Sequence, residues 1–144
     1  MHANYETDFY AWTQEQAELL RAGKLTEIDA VSLLEEIESM GRSEKRELQS
    51  RLVKLFSHLL KCRYQPGLYS MSWHLTIKGQ RIEIADCLAD SPSLKSKLEP
   101  ICAKAYELGR VEAAAETGFK LTTFPESSPW TFDEAMTVDY GPAE

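Results

Sequence analysis

A leucine-rich stretch between residues 43 and 64 constrains the fold more than any other feature of this sequence. Apolar residues recur there at spacings of three and four, the repeat that places side chains on one face of an α-helix: Leu48, Leu52, Leu55, Phe56, Leu59 and Leu60. Ser43 can cap the start of the helix, and Gln65-Pro66-Gly67 predicts its end at about Tyr64. We therefore expect a long central helix whose apolar stripe is buried.

The residues before this helix predict two shorter ones. Thr13 and Gln16 have the spacing of a capping box before a helix of residues 14–22, which Gly23 ends. Asp29 can cap a second helix of residues 30–40, and Gly41 predicts its end. The second helix carries its own apolar residues at helical spacing: Ala30, Leu33, Leu34, Ile37 and Met40.

Residues that favour helix starts and helix ends also occur in the second half of the chain. Ser91-Pro92 predicts a helix start with proline at the first helical position. Pro100 predicts a break or kink, after which a helix of residues 101–117 ends at Gly118. A last short helix begins at Thr131, which forms a second capping box with Glu134.

Residues 73–88 fit two structures equally well. Trp73, Leu75 and Ile77 alternate, Ile82 and Ile84 alternate, and Gly79 lies between them, as in a β-hairpin. As a helix capped by Ser72, the same stretch places one apolar face on the core, formed by Trp73, Ile77, Ile84, Ala85 and Leu88.

Short phrases along the chain resemble a bacterial family known as domain-of-unknown-function family twenty-nine. They include Asp8-Phe9-Tyr10-Ala11-Trp12, Glu35-Glu36-Ile37-Glu38-Ser39-Met40-Gly41, His58-Leu59-Leu60-Lys61, Gln65-Pro66, Ser72-Trp73, Gln80-Arg81, Ser91-Pro92-Ser93-Leu94 and Glu116-Thr117-Gly118. The resemblance spans about residues 5–135 and implies an all-helical fold, with a helix at residues 73–88 and no established activity. Gly79 departs from the pattern and should weaken that helix by about 1 kcal/mol relative to alanine.

With 144 residues, the chain is long enough for one domain with its own core. We expect an all-α, bundle-like domain of five to six helices covering residues 1–144, with its core at about residues 7–137 and a mobile tail at 138–144. No apolar run is long enough to cross a bilayer, and the polar N-terminus predicts no secretory signal. We therefore expect a cytoplasmic bacterial protein without a membrane partner.

Metal and cofactor chemistry have little support in the sequence. The three cysteines, Cys62, Cys87 and Cys102, are widely spaced and typical of reduced thiols. Leu55 and Met71 occupy the positions three before His58 and His74, where a di-iron bundle would carry glutamate. We expect no metal and no cofactor, although Cys62 lies one turn from His58 and an activated thiolate is conceivable.

The net charge of −7 conceals three blocks of charge. Residues 1–41 carry two basic and nine acidic residues, residues 42–81 carry nine basic and two acidic, and residues 82–144 carry five basic and twelve acidic. Either acidic helices pack beside the basic one and neutralise it, or the basic helix, residues 42–63, stays exposed for an anionic partner. Arg51, Lys54 and Lys61 are the candidate anion contacts.

One polar cluster is the candidate functional site: Glu36, His58, Arg81 and Glu116. On a helix of residues 73–88, Arg81 falls on the apolar face and must find a carboxylate, and we expect Glu36 or Glu116 to supply it. His58 borders the apolar stripe, so it is expected to be partly buried. The cluster is either a structural ion pair or a cleft that acts on a ligand.

Aromatic residues near both ends favour a protein partner. Four lie near the N-terminus and four near the C-terminus: Tyr5, Phe9, Tyr10, Trp12, Phe124, Trp130, Phe132 and Tyr140. Most are expected to cover the core, and those left exposed would anchor an interface. The leading hypothesis is a protein-interaction or regulatory module with an unknown, basic partner; the alternatives are nucleic-acid binding through residues 42–63 and an enzyme using the polar cluster. A partly exposed apolar helix face would favour a homodimer.

Overall fold

The computed structural model describes residues 3–141, which form helices and connecting segments without a strand. The predicted all-α class is confirmed. Within this range lie five α-helices: α1 (Phe9–Arg21), α2 (Ala30–Tyr64), α3 (Met71–Asp90), α4 (Leu98–Thr117) and α5 (Phe132–Thr137). Short 3₁₀ turns precede α3, α4 and α5: Pro66–Leu68, Pro92–Lys97 and Leu121–Thr123.

By their internal contacts, the described residues divide into two compact units. The first comprises residues 3–42 and the second residues 43–141, with α2 contributing to both. One helical domain over the whole chain stays a prediction.

The start of α1 differs from the sequence prediction. The helix begins at Phe9, and Asp8 caps it by accepting a hydrogen bond from the Ala11 amide at 3.1 Å. Thr13 therefore lies inside the helix, and the predicted capping box with Gln16 is wrong. An aspartate six residues before the start of the predicted helix caps the first turn instead.

The end of α1 is confirmed at Gly23. This glycine has a φ of +73°, in the left-handed region that closes many helices. Its amide donates to the Leu20 carbonyl at 3.0 Å, and the Lys24 amide donates to the Leu19 carbonyl at 2.9 Å. These two bonds satisfy carbonyl groups that the helix end would leave without partners.

Asp29 connects α1 to the start of α2 in the first unit. Its carboxylate accepts hydrogen bonds from the Ser32 amide at 3.2 Å and from the Trp12 indole nitrogen at 3.1 Å. Its amide donates to the buried Gln16 side chain at 2.7 Å. The bond from Ser32, followed by that from Trp12, lowers the pKa of Asp29. The predicted cap at Asp29 is therefore confirmed.

The second and third predicted helices are one continuous helix of 35 residues, α2. Gly41 was expected to end the first of them, but its φ is not positive and the helix continues through it. The predicted cap at Ser43 is wrong for the same reason. Glycine costs about 1 kcal/mol inside a helix, which flanking helical turns without proline readily offset.

Residues 73–88 are helical, and they lie within α3. Ser70, and not Ser72 as predicted, caps α3 by accepting a hydrogen bond from the Trp73 amide at 3.3 Å. Ile77, Ile84 and Leu88 are buried as the helical alternative requires. Ala85 is exposed, so its assignment to the buried face is wrong.

Pro100 does not break the fourth helix. α4 begins at Leu98, so the proline occupies its first turn, where the missing amide has no intrahelical partner to lose. Ser91-Pro92 starts the 3₁₀ turn Pro92–Lys97 before it. The predicted end at Gly118 is confirmed by its φ of +75°, and the capping box of Thr131 with Glu134 is also present.

The core of the second unit is built on α2. All six residues of the predicted central stripe are buried there, against residues of α3, α4 and α5. Phe56 forms an edge contact with Tyr106 and stacks on Trp130. The first part of the predicted tail also packs on this core through Val138 and Tyr140, whereas residues 142–144 lie outside the described range.

Candidate functional site

Acidic residues of α3 and α4 pair with the basic residues of α2 in the second unit. The Lys54 ammonium lies 2.5 Å from a Glu112 carboxylate oxygen, and Lys61 makes an equally short contact with Glu116. Arg51 lies within 4.0 Å of Glu83, with Glu47 also in range. The three candidate anion contacts therefore already have carboxylate partners, whereas Lys45, Arg46 and Arg63 on the same helix are exposed.

His58 lies between these ion pairs on α2. It is half-buried, as predicted, and its Nδ1 donates a hydrogen bond to the Lys54 carbonyl at 2.9 Å. Burial lowers the pKa of His58, and the Lys61 charge acts in the same direction; the hydrogen bond to the Lys54 carbonyl and the charges of Glu116 and Glu112 oppose the shift. One ring nitrogen is therefore committed to its own helix.

Arg81 has acceptors other than those predicted. Its Nε and Nη2 donate to the Ala135 carbonyl at 3.2 and 3.0 Å, and Nη2 donates to the Val138 carbonyl at 2.6 Å. These carbonyl groups lie at the C-terminal end of α5, where the helix leaves acceptors without partners. Burial lowers the pKa of Arg81, while Asp139 opposes the shift.

Within the second unit, the predicted pairing of Arg81 with Glu116 is therefore wrong, whereas its pairing with Glu36 stays a prediction. Glu116 binds Lys61, and Glu36 belongs to the first unit, where it accepts a hydrogen bond from the Tyr5 hydroxyl at 2.7 Å. This bond raises the pKa of Tyr5 to about 12. Of the three cluster residues in the second unit, His58 and Glu116 lie close enough to influence each other electrostatically. The acceptors of Arg81 are backbone carbonyl groups, which every residue carries, so no sequence pattern could have predicted them.

The cysteines do not form an activated thiol. Burial raises the pKa of Cys62 to about 11, and the nearby charges of Lys61 and Arg81 do not overcome it. Burial also raises the pKa of Cys102 to about 11. Both thiols are therefore protonated at neutral pH, which contradicts the thiolate considered from the sequence. Among residues 3–141, no group of three or more histidine, cysteine or acidic side chains is placed to hold a metal ion.

At least three clefts open on the described part of the second unit, and two of them exceed 600 Å³. One of about 620 Å³ lies between α3 and residues 137–140 and is lined by Arg81, His74 and Tyr69. The other, about 920 Å³, lies between α4 and residues 126–132. In both, hydrogen bonds within the chain use polar groups of the lining: the Tyr69 hydroxyl contacts His74 Nδ1 at 2.7 Å, and Arg110 donates to the Phe124 carbonyl.

The first unit carries an exposed apolar surface on α2, which includes three residues of the predicted helical repeat. Four residues of α2 are highly exposed: Val31 (81%), Leu34 (58%), Ile37 (64%) and Met40 (64%). We call them the apolar α2 face. Leu33, the remaining large residue of the predicted stripe, is half-buried, as are Glu36 and Ser39. The apolar repeat of residues 30–40 correctly predicts a helix. Such a repeat does not tell whether another element of the fold covers the apolar face.

Aromatic residues add to the exposed surface of the first unit. Tyr5, Phe9 and Trp12 form a ring cluster in which only Trp12 is buried. Tyr10 on α1 projects further and is 74% exposed. By contrast, Phe124 and Trp130 are buried in the second unit, so the aromatic residues near the C-terminus mainly cover the core, as expected.

Comparison with known proteins identifies a family over nearly the whole chain. The family model of Domain of unknown function DUF29 matches residues 4–141. The chain belongs to the DUF29 family. This confirms the resemblance that the sequence phrases carried, and it matches the all-helical fold that the resemblance implied. No curated protein and no solved structure matches this DUF29 chain. In the part of the chain that the structure describes, no helix has both the length and the apolar character to cross a membrane.

Proposed function

We propose that this DUF29 protein is a protein-interaction module that binds an amphipathic, basic helix of a partner protein on the apolar α2 face. The observation that carries the proposal is the exposure of Val31, Leu34, Ile37 and Met40 along one helix. Contiguous apolar residues of this size are typical of interaction sites and not of an ordinary soluble surface. A helix that presents such a row pairs most simply with a second helix at 8–10 Å.

Charge around the face favours a basic partner. Residues 25–41 carry no lysine or arginine and five acidic residues: Glu27, Asp29, Glu35, Glu36 and Glu38. Glu35 and Glu38 are exposed on the same helix as the apolar row. A partner helix with lysine or arginine beside its apolar row would gain attraction at this rim, which also speeds association. A second copy would bring like charges together, which disfavours self-association here.

Nucleic-acid binding and catalysis have less support than protein interaction. Phosphate binding by α2 would compete with carboxylates that already pair with Arg51, Lys54 and Lys61. An enzyme built on Glu36, His58, Arg81 and Glu116 would need side chains that instead hold other partners. The apolar α2 face needs no such rearrangement to bind.

The test is capture of partners by the immobilised full-length chain from a lysate of the source organism, with and without nuclease. The variant Leu34→Ser/Ile37→Ser removes the centre of the apolar α2 face. A matched control, Leu108→Ser/Val111→Ser, removes two exposed apolar residues of α4. We expect one or two stoichiometric proteins that survive nuclease, with recovery reduced at least about tenfold by the first variant and unchanged by the control.

Hydrogen exchange of the recovered complex then locates the contact. The amides of residues 30–41 should exchange more slowly when the partner is bound, and the slowing should disappear in 1 M salt if the acidic rim contributes. Recovery that requires nucleic acid would favour the basic helix. Recovery that is equal for both variants, or no stoichiometric protein at all, contradicts the proposal.

A further inference from the structure

A second exposed row runs the length of α3 in the other unit. Its residues follow alternating spacings of four and three, which is the repeat of a coiled-coil seam: Met71, Leu75, Lys78, Ile82, Ala85 and Ala89. All six are exposed, with Met71, Leu75 and Ile82 each more than half accessible. We call this row the α3 seam. The α3 seam lies on a different unit from the apolar α2 face and is therefore a second, separate candidate interface.

We infer that the α3 seam binds the α3 seam of a second copy, antiparallel, across a two-fold axis near Gln80. The six residues lie in pairs at equal distances on either side of Gln80. Antiparallel pairing therefore brings Met71 against Ala89 of the other copy, Leu75 against Ala85, and Lys78 against Ile82. One patch can complement itself in this way only about a two-fold axis.

Side-chain size fits this pairing. Each large residue of the first half of the seam, Met71 or Leu75, meets an alanine from the second half. Alternation of large and small residues lets two helices approach closely and interdigitate. In the central layer, the aliphatic stem of Lys78 can pack along Ile82 while its ammonium remains at the edge. A parallel pair would instead place alanine on alanine and leave the second half poorly filled.

Charge selects the same orientation. Residues 71–80 contain no acidic residue, whereas residues 82–90 contain Asp86 and Asp90 in addition to Glu83, which lies within 4.0 Å of Arg51 in its own chain. An antiparallel pair keeps the acidic half of one helix away from the acidic half of the other. A parallel pair would set the three carboxylates of one copy beside those of the other, which is repulsive. This self-complementarity in size, together with the separation of the two acidic halves, is why we assign the seam to a second copy and not to an unrelated protein.

Sedimentation equilibrium of the full-length chain over a range of concentrations tests the association. Leu75→Glu places a charge in the seam, and Ile82→Lys places one opposite Lys78 of the other copy; Val111→Glu on α4 is the matched control at another exposed apolar position. We expect a monomer–dimer equilibrium whose dissociation constant rises at least tenfold in both seam variants and stays unchanged in the control. Circular dichroism checks that each variant keeps its helices. A chain that stays monomeric up to millimolar concentration overturns the inference.

Spin labels on Met71→Cys and Ala89→Cys, each in a Cys102→Ser background, test the orientation. Cys62 and Cys87 are buried, and unlabelled-site signal is measured on the Cys102→Ser chain alone. In an antiparallel dimer centred at Gln80, each label should lie about 27 Å along the axis from its equivalent, from a rise of 1.5 Å per residue. Equivalent labels at about 10 Å would mean a parallel pair and overturn the inference.

The same series separates this association from the proposed partner site. A dimer that survives Leu75→Glu but dissociates in Leu34→Ser/Ile37→Ser would place self-association on the apolar α2 face and overturn the inference. A monomer that cross-links a different protein through Met71→Cys would do the same. The outcome of the capture experiment on the apolar α2 face does not depend on whether the α3 seam forms a dimer.

Discussion

Lys61 and Glu116 form an ion pair with 2.5 Å between Nζ and Oε2, although the lysine side chain is only 8% exposed. The same ammonium lies 5.3 Å from the centre of the Trp73 ring. A buried ammonium has lost most of its hydration and is stabilised only if a partner compensates. Glu116, which is 44% exposed, supplies that partner and also keeps contact with water. The pair joins the last turns of α4 to α2 in the second unit.

Replacing Glu116 with glutamine should lower the free energy of unfolding by about 1–2 kcal/mol. The amide keeps a hydrogen-bond acceptor but removes the charge opposite Lys61. The loss should fall short of that for a fully buried pair because water reaches Glu116. Urea unfolding measures the change. Glu107→Gln, which removes the exposed pair with Lys104, is the control and should cost less than about 0.5 kcal/mol. Equal losses in the two variants would contradict the role of Lys61 burial.

Acidification below pH 6.5 should destabilise the protein partly through His58. Burial lowers the pKa of His58 in the folded state below its ordinary value of 6.5, so the unfolded chain takes up the proton first. Stability therefore falls as pH drops from 6.5 towards the lowered pKa, and this contribution is constant above about pH 7. The measurement compares urea unfolding of wild type and His58→Gln at pH 7.5 and pH 5.5. We expect a smaller loss in the variant; identical losses would mean that His58 titrates normally.

Replacing Arg81 with methionine should cost about 2–3 kcal/mol and loosen the C-terminal segment. The carbonyl groups of Ala135 and Val138 would lose a charged donor that three hydrogen bonds now provide. Lysine at this position should restore only part of the loss, because it lacks the planar fork that reaches both acceptors. Thermal unfolding gives the stability change, and hydrogen exchange of residues 132–140 reports the local effect. Arg46→Met, at an exposed position of α2, is the control; a similar loss there would count against a specific role for Arg81.

Two glycine substitutions should act in opposite directions. A Cβ at Gly79 meets no atom within 4 Å, so Gly79→Ala should stabilise α3 by about 1 kcal/mol. A Cβ at Gly109 would lie 3.0 Å from the Phe56 Cβ and from the Val53 carbonyl oxygen, so Gly109→Ala should destabilise by about 1–3 kcal/mol. Urea unfolding of both variants at one protein concentration measures the pair. Stabilisation by Gly109→Ala would mean that α2 and α4 can move apart without cost.

The helices with strong terminal signals could be read from the sequence. Gly23, Asp29 and Gly118 mark helix ends as predicted, because each solves a local problem of unpaired amides or carbonyl groups. Local sequence signals gave wrong helix boundaries where the chain offers two possible caps or where a glycine can be kept inside a helix. Asp8 displaced the capping box at Thr13, and Gly41 is tolerated inside α2 since the flanking turns stabilise a continuous helix.

The candidate site was less accessible to sequence reasoning. Helical geometry correctly placed Arg81 on an inward face, but its acceptors are backbone carbonyl groups more than fifty residues away. Only the fold brings the end of α5 to that side chain. His58 and Glu116 do come near each other, because α4 packs on α2. Glu116 forms its ion pair with Lys61, which the sequence analysis predicts to be an anion contact.

Periodicity left residues 73–88 open between a helix and a β-hairpin. By itself the sequence determined the helical character of most other segments, the central stripe from Leu48 to Leu60 and the separation of charge along the chain. These follow from periodicity and local backbone chemistry, which each segment carries alone. Tertiary structure decided which apolar rows are covered: the stripe of α2 after Leu48 is buried, whereas Val31, Leu34 and Ile37 on the same helix are exposed. It also decided which charges pair. Burial and pairing depend on the element that packs opposite, and no repeat within a segment specifies that neighbour.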